Sequence, residues 1–76
     1  MWIRTQGGDL VNLDHVIRIY AFENVVDIMV PSIGDKVIGH YRDAADAFAV
    51  MNMITSWIDK LGPQSVFVMP MKEALI

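Results

Sequence analysis

The sequence contains no cysteine, which excludes disulfide bonds and cysteine-ligated metal sites as sources of stability. Its two histidines, His15 and His40, do not stand at metal-ligand spacing. A chain of 76 residues therefore depends on its apolar core, although a domain of this size buries only about 60–65% of its unfolded surface. These absences predict a single domain over residues 1–76 that holds neither a metal nor a cofactor.

Basic residues are also few. Six Lys and Arg against nine Asp and Glu give a net charge of −3, which argues against general nucleic-acid binding because that activity needs a basic surface. No secretory signal is recognisable, and the longest apolar stretch, 47–58, is interrupted by polar residues and shorter than the ~20 residues of a membrane span. We expect a cytoplasmic protein that does not associate with membranes.

Catalytic motifs are missing as well. The sequence has no G-x-S-x-G, no phosphate-binding loop and no H-E-x-x-H, and the two glycines of Gln6-Gly7-Gly8 stand between predicted strands, as in a hairpin turn. His40 and Asp27 are the one pair with acid-base potential, but such a pair is more often a surface ion pair. The sequence thus predicts no catalytic residues and no enzymatic activity.

Apolar residues, in contrast, are abundant. They make up 54% of the chain, above the roughly 45–50% usual for soluble domains. In so small a protein, apolar side chains remain after one core is filled, and self-association is the simplest way to cover them. We therefore expect a homodimer or a higher homo-oligomer.

The arrangement of these residues predicts an α+β fold. Asp43 to Leu61 has helical periodicity, an N-cap at Asp43 and a stop at Gly62-Pro63. Strands, broken by glycine, asparagine and proline turns and by a kink at 12–15, are expected before and after this helix. We predict an antiparallel meander of four to five strands, with the helix (about 43–61) packed on one face and a short C-terminal strand at 65–69. The four predicted strands before the helix cover 2–5, 10–22 with the kink at 12–15, 25–30 and 36–42.

The predicted helix carries two apolar stripes. The first is expected to face the sheet, with Phe48, Met51, Ile54 and Ile58 buried. The second lies on the neighbouring flank and has two interpretations: its residues meet another copy of the chain, or they cover the rim of the sheet or the final strand of the same chain. The candidate oligomer-interface residues are Val50, Met53 and Trp57.

Residue parity along the strands predicts a second surface, the open face of the sheet. The purely apolar parity sets, including the set of Val37, Gly39 and Tyr41, are expected beneath the helix, and Gly39 is expected to let the helix approach closely. The opposite set collects every arginine of the chain, together with Asp27 and Met29. The candidate ligand-binding residues on it are Trp2, Arg4, Arg18, Tyr20, His40 and Arg42.

This open face has two interpretations. Arginine offers a planar fork for phosphate or carboxylate, and Trp or Tyr offers a stacking surface, so the face suits a nucleotide-like anion or an acidic peptide. Alternatively, arginines and aromatics form ordinary cross-strand pairs on a solvent-exposed face, with Asp27 as an ionic partner. Both interpretations depend on the assignment of residues to faces by parity, and this assignment is wrong if the kink at 12–15 shifts the strand register.

Four segments together resemble a known group of proteins. These are the opening Met1-Trp2-Ile3-Arg4-Thr5-Gln6, a glycine turn followed by Leu10-Val11-Asn12-Leu13-Asp14, the Tyr41-Arg42-Asp43 entry into an Ala-rich helix, and the closing Val66-Phe67-Val68-Met69-Pro70. They are similar to short proteins of Gram-positive bacteria and their phages. The resemblance spans nearly the whole chain and implies a fold, because that group has no established activity. The first half, through Gly8, Val11, Asn12 and Leu13, also distantly resembles FlbD-like flagellar accessory proteins.

The sequence favours a small, non-catalytic, homo-oligomeric module that binds a protein partner through the open face or a helix flank. The alternative is a phage-type anti-defence protein that sequesters a nucleotide-like signal, or blocks a host factor, through Arg4, Arg18 and Arg42.

Overall fold

A computed structural model of the chain describes residues 1–61 and 66–75. The predicted α+β class, with one helix and a short C-terminal strand, is confirmed. The predicted helix stop at Gly62-Pro63 and the first residue of the predicted last strand, Ser65, lie outside the described residues. The elements are β1 (Trp2–Arg4), β2 (Leu10–Asn12), a 3₁₀ helix (Leu13–His15), β3 (Arg18–Phe22), β4 (Val25–Val30), β5 (Gly34–His40), α1 (Ala44–Leu61), β6 (Val66–Val68) and a second 3₁₀ helix (Lys72–Leu75).

The strands form two sheets of three. β3, β4 and β5 make an antiparallel meander, whereas β1 lies between antiparallel β2 and parallel β6. The division occurs where the sequence suggested a kink. The Asn12 side chain accepts a hydrogen bond from the Asp14 N–H (3.0 Å) and caps the first 3₁₀ helix, so the chain turns out of the first sheet before β3 begins.

Gln6 links the two sheets. Its backbone N–H donates to the Ile38 carbonyl (3.1 Å), and its side-chain Oε1 accepts from the His40 N–H (2.7 Å). The Nε2 group donates to the carbonyls of His40 (3.1 Å) and Pro70 (3.0 Å). One residue thereby satisfies backbone groups at the edge of β5 and in the segment after β6.

A β-bulge in β5 changes which side chains face the core. Val26 pairs with Gly39, but the next residue, Asp27, pairs with Val37, so Ile38 is an extra residue on β5. The predicted common face for Val37, Gly39 and Tyr41 is therefore wrong. Ile38 and Tyr41 are buried, whereas Val37 is exposed on the opposite face.

Helix α1 is capped as predicted, but it presents a different face to the core. The Asp43 carboxylate accepts from the Asp46 N–H (2.9 Å), as an N-cap residue does. Ile54 is buried and Met51 is partly buried, but Phe48 and Ile58 are exposed, which corrects the predicted core stripe. Between Ala44 and Lys60, the buried helix residues are Ala47, Val50, Ile54 and Trp57.

The contact between Trp57 and Phe67 explains why α1 buries a different face from the predicted one. Their ring centroids are 5.4 Å apart, which packs α1 against β6 as well as against β3 and β4. Because two sheets flank the helix, its buried arc turns toward the side that carries the largest apolar side chain. The single sheet expected from the sequence gave no reason for this turn.

Gly39 makes room for a side chain of its own strand segment. A Cβ atom at this position would lie 2.8 Å from the Tyr41 hydroxyl oxygen and 3.0 Å from Cε of Met69. The prediction that Gly39 permits a close approach of the helix is therefore corrected: the space is filled by Tyr41 and Met69.

Candidate functional site

The open face of the meander is organised in three cross-strand rows. β-Strand pairing places side chains from paired residues on the same side of the sheet, so the register fixes which side chains are neighbours. From one end of the sheet to the other, the rows are Arg18, Met29 and Asp35; then Tyr20, Asp27 and Val37; then Phe22, Val25 and His40.

The predicted arginine cradle is not assembled on this face. Of the six candidate ligand-binding residues, only Arg18, Tyr20 and His40 lie there. Trp2 and Arg4 belong to β1 in the other sheet, because the 3₁₀ helix separates the two sheets.

The other two arginines have local partners. Arg4 Nη1 donates to the Gly8 carbonyl in the β1–β2 turn (3.0 Å). Arg42 lies between β5 and α1, where its Nε is 2.7 Å from Asp46 Oδ2. This pair raises the pKa of Arg42 and lowers that of the Asp46 carboxyl.

Arg18 and Tyr20 are brought together as predicted. The Arg18 guanidinium lies 4.4 Å from the centroid of the Tyr20 ring, a cation–π arrangement. Partial burial is the main reason that the pKa of Tyr20 is raised, and the nearby Asp35 carboxylate raises it further. Two carboxylates, Asp27 and Asp35, thus share the face with a single arginine, which makes its centre unfavourable for an anion.

The proposed pairing of His40 with Asp27 is not formed. Asp27 lies between Tyr20 and Val37 in the central row, whereas His40 lies opposite Val25 in the next row. No hydrogen bond or ion pair joins the two side chains among residues 1–61 and 66–75, and no group of three His, Asp or Glu side chains in those residues is placed to hold a metal ion.

The predicted oligomer-interface residues do not form one surface. Val50 and Trp57 are buried in the core of their own chain, so their assignment to an interface is wrong. For Trp57, the other interpretation holds, because its ring covers the final strand through Phe67. Met53 is exposed, but on the side of the helix away from Phe48 and Ile58.

An exposed apolar stripe lies instead on the opposite flank of α1. Phe48 is 63% exposed and Ile58 is 43% exposed, and the partly buried Met51 lies between them on the helix surface. Ile58 also lines a groove of about 250 Å³ together with Leu13, Ile17 and Ile19. The stripe therefore continues from the helix to the beginning of β3.

A second groove extends this apolar region from Ile17 to the β4–β5 turn. It has a volume of about 590 Å³ and is lined by Ile17 and Ile33, which are 65% and 74% exposed, with Asp14 and His15 at its side. We define the apolar surface as Ile17, Ile33, Phe48, Met51 and Ile58. Its exposed area is on the order of 400–500 Å², a size at which patches on small proteins often mark interaction sites.

Sequence reasoning missed this surface although its composition signalled it. The apolar excess and the second helix stripe both indicate leftover apolar area, but the predicted core stripe includes Phe48 and Ile58. An error of roughly one residue's rotation about the helix axis, which is ~100°, is enough to exchange a buried flank for an exposed one.

Comparisons with protein-family models, with curated proteins and with solved structures found no match to this chain. None of the helices in the described residues is both long and apolar enough to cross a membrane.

Proposed function

We propose that the chain is a small, non-catalytic, cytoplasmic binding module that associates with a second copy of itself through the apolar surface. The observation that supports this function is that Ile17 lines two adjoining grooves, one with Ile33 and the other with Ile58. Phe48 and Met51 lie on the same flank of α1 as Ile58. Scattered apolar residues need no explanation, but a connected patch of this kind favours a partner.

The surface area of the chain is large enough for an interface with a second copy. A standard interface buries about 800 Å² on each partner, which is close to a sixth of the chain's 4751 Å² surface. The apolar surface supplies about half of that area. Its neighbours supply a polar rim, as in known interfaces, where an apolar centre is surrounded by solvated groups.

The charges beside the apolar surface are also compatible with a second copy. Asp14 and His15 border one groove and Arg18 borders the other, so both signs of charge are available. A two-fold interface brings a patch against itself, which is favourable only when the patch is not dominated by one sign. A strongly acidic or basic partner has no matching surface here.

The test measures the oligomeric state of a matched pair of variants. Ile58 and Met53 are equally exposed, at 43%, on different flanks of α1. We expect sedimentation velocity at tens of micromolar to show a wild-type dimer, a dissociation constant at least about tenfold weaker for Ile58→Glu, and no change for Met53→Glu, because only the first buries an unpaired carboxylate. A monomeric wild type, or equal effects of the two variants, would overturn the proposal.

A further inference from the structure

β3 is an edge strand, and its outer side has no partner within the described chain. It pairs with β4 alone, and no backbone hydrogen bond from residues 1–61 or 66–75 reaches its other edge. Such an edge presents a row of backbone donors and acceptors that another strand can use.

The hairpin turn identifies which backbone groups face outward. Glu23 and Asn24 form a two-residue turn, so Phe22 and Val25 are the hydrogen-bonded pair that closes it. Hydrogen-bonded and non-bonded pairs alternate along an antiparallel ladder. Arg18, Tyr20 and Phe22 therefore bond to β4, and the N–H and C=O groups of Ile19 and Ala21 point away from the sheet.

The other sheet edges are less suitable for a long ladder. The outer edge of β5 is occupied where Gln6 binds Ile38 and His40. β2 and β6 have three residues each, whereas β3 has five. β3 also lacks the proline and lysine residues that commonly protect natural edges, and its one charge, on Arg18, lies over the Tyr20 ring on the open face.

We propose that two copies of the chain join by antiparallel pairing of their β3 strands about a two-fold axis at Tyr20, which creates a continuous six-stranded sheet. This inference rests on the proposed self-association and specifies its geometry. Centring the axis on Tyr20 pairs all five residues of each strand. Ile19 exchanges backbone hydrogen bonds with the partner's Ala21, and Arg18 lies opposite the partner's Phe22 on the open face.

The apolar surface supports this arrangement, because it begins beside the same edge. Ile17, Ile19 and Ile58 line one groove, and α1 packs on the face of the sheet that carries Ile19. A two-fold axis at Tyr20 places both helices on the same face of the joined sheet. The exposed flanks that include Ile58 then turn toward each other, so strand pairing and burial of the helix part of the apolar surface occur together.

Because the chain has no native cysteine, an introduced cysteine can form a disulfide only with the same cysteine of a second copy. In the proposed ladder Tyr20 faces the partner's Tyr20 in a non-hydrogen-bonded pair, where Cβ atoms approach within about 5 Å, close to disulfide distance. We expect mild oxidation to cross-link Tyr20→Cys into a dimer at least about tenfold more completely than Arg18→Cys, which lies two residues away on the same strand and face.

A second variant tests the backbone contact without a new covalent bond. Because the Ala21 N–H points outward, Ala21→Pro removes a donor from the interface and none from the β3–β4 ladder. We expect an unchanged circular dichroism spectrum and a monomer at concentrations where the wild type is a dimer. A folded Ala21→Pro variant that still forms a dimer would exclude β3 pairing.

The outcomes also separate this inference from the proposed function. A wild-type dimer in which Tyr20→Cys does not cross-link, or in which Arg18→Cys cross-links preferentially, overturns the β3 geometry and leaves self-association intact. A wild-type monomer overturns both. If Tyr20→Cys is itself monomeric under reducing conditions, the Ala21→Pro result alone decides whether the β3 strands pair.

Discussion

At the scale of single residues, Tyr41 connects burial with an expected dependence on pH. Its hydroxyl donates to the Pro70 carbonyl (3.0 Å), and burial of the ring raises the pKa of Tyr41 to about 12. The folded state therefore favours the protonated phenol. Its contribution to stability is complete below the unfolded pKa of about 10 and is lost as the pH rises from there toward 12.

We expect the urea concentration at the unfolding midpoint of the wild type to decrease as the pH is raised from 10 to 12. Tyr41→Phe should lose about 0.5–1.5 kcal/mol at pH 7, because the hydrogen bond to Pro70 is absent, and should decline less steeply above pH 10. Tyr20→Phe is the control, since the Tyr20 ring is less buried although its pKa is also raised. Identical alkaline slopes for wild type and Tyr41→Phe would contradict this account.

At the scale of elements, the β3–β4 turn contains local backbone strain. Glu23 has a φ of +53°, a backbone conformation that residues other than glycine and asparagine rarely adopt. The turn is held by the next residue: the Asn24 carbonyl accepts from the Tyr41 N–H (2.8 Å), and its side-chain amide donates to the Tyr41 carbonyl (3.0 Å). The contacts of Asn24 thus fix a conformation that Glu23 itself disfavours.

Glu23→Asn should therefore stabilise the chain. Asparagine tolerates the left-handed region, and we expect a gain of about 0.5 kcal/mol, or roughly 2–4 °C in Tm. Glu23→Ala removes the same charge but retains the unfavourable backbone conformation, so it should leave Tm nearly unchanged. Thermal unfolding of the two variants measures the difference, and an equal rise in both would attribute the effect to charge.

The elements themselves were largely predictable, whereas their faces were not. Asp43 as the helix cap and the Glu23-Asn24 turn follow from local chemistry, and both occur as expected. The extra residue at Ile38 has no local sequence signal, because a bulge in a run of Lys36 to His40 depends on how Gln6 and β4 bind the two edges of the strand. One such shift reassigns every later side chain of the strand.

The candidate site could not be predicted from the sequence for a related reason. Parity grouped Arg4 with Arg18 because both were assigned to one sheet, and the 3₁₀ helix that separates their sheets appeared only as a kink. Similarly, the sequence leaves the flank of Trp57 with two interpretations, because its contact with Phe67 joins α1 to a strand that follows later in the chain. Local patterns identify apolar and charged stripes, but tertiary contacts decide which of them is exposed.

At the scale of the whole molecule, the dispersed arginines predict weak anion binding. The chain carries a net charge of −3, Arg42 pairs with Asp46, and Arg18 shares its face with two carboxylates. In a thermal-shift screen with nucleotides at 1 mM, we expect changes in Tm of no more than about 1 °C. A ligand with a Kd near 10 μM would stabilise the fold by about 2.7 kcal/mol, which is readily detected.

Arg18→Ala provides the control for that screen, because Arg18 is the arginine that lies over an aromatic ring. A nucleotide that raises Tm by several degrees in the wild type and not in Arg18→Ala would contradict the expectation of weak binding. It would instead support the anti-defence alternative and assign the ligand to the open face.

The bonds made by Gln6 also bear on the order in which the chain folds. They join positions separated by 34 residues, at His40, and by 64 residues, at Pro70. Closing loops of that length costs chain entropy before any bond forms, so local hairpins such as β3–β4 are expected to precede them. Contacts that form after the transition state mainly slow unfolding. Gln6 is therefore positioned to govern how long the folded state lasts rather than how quickly it is reached.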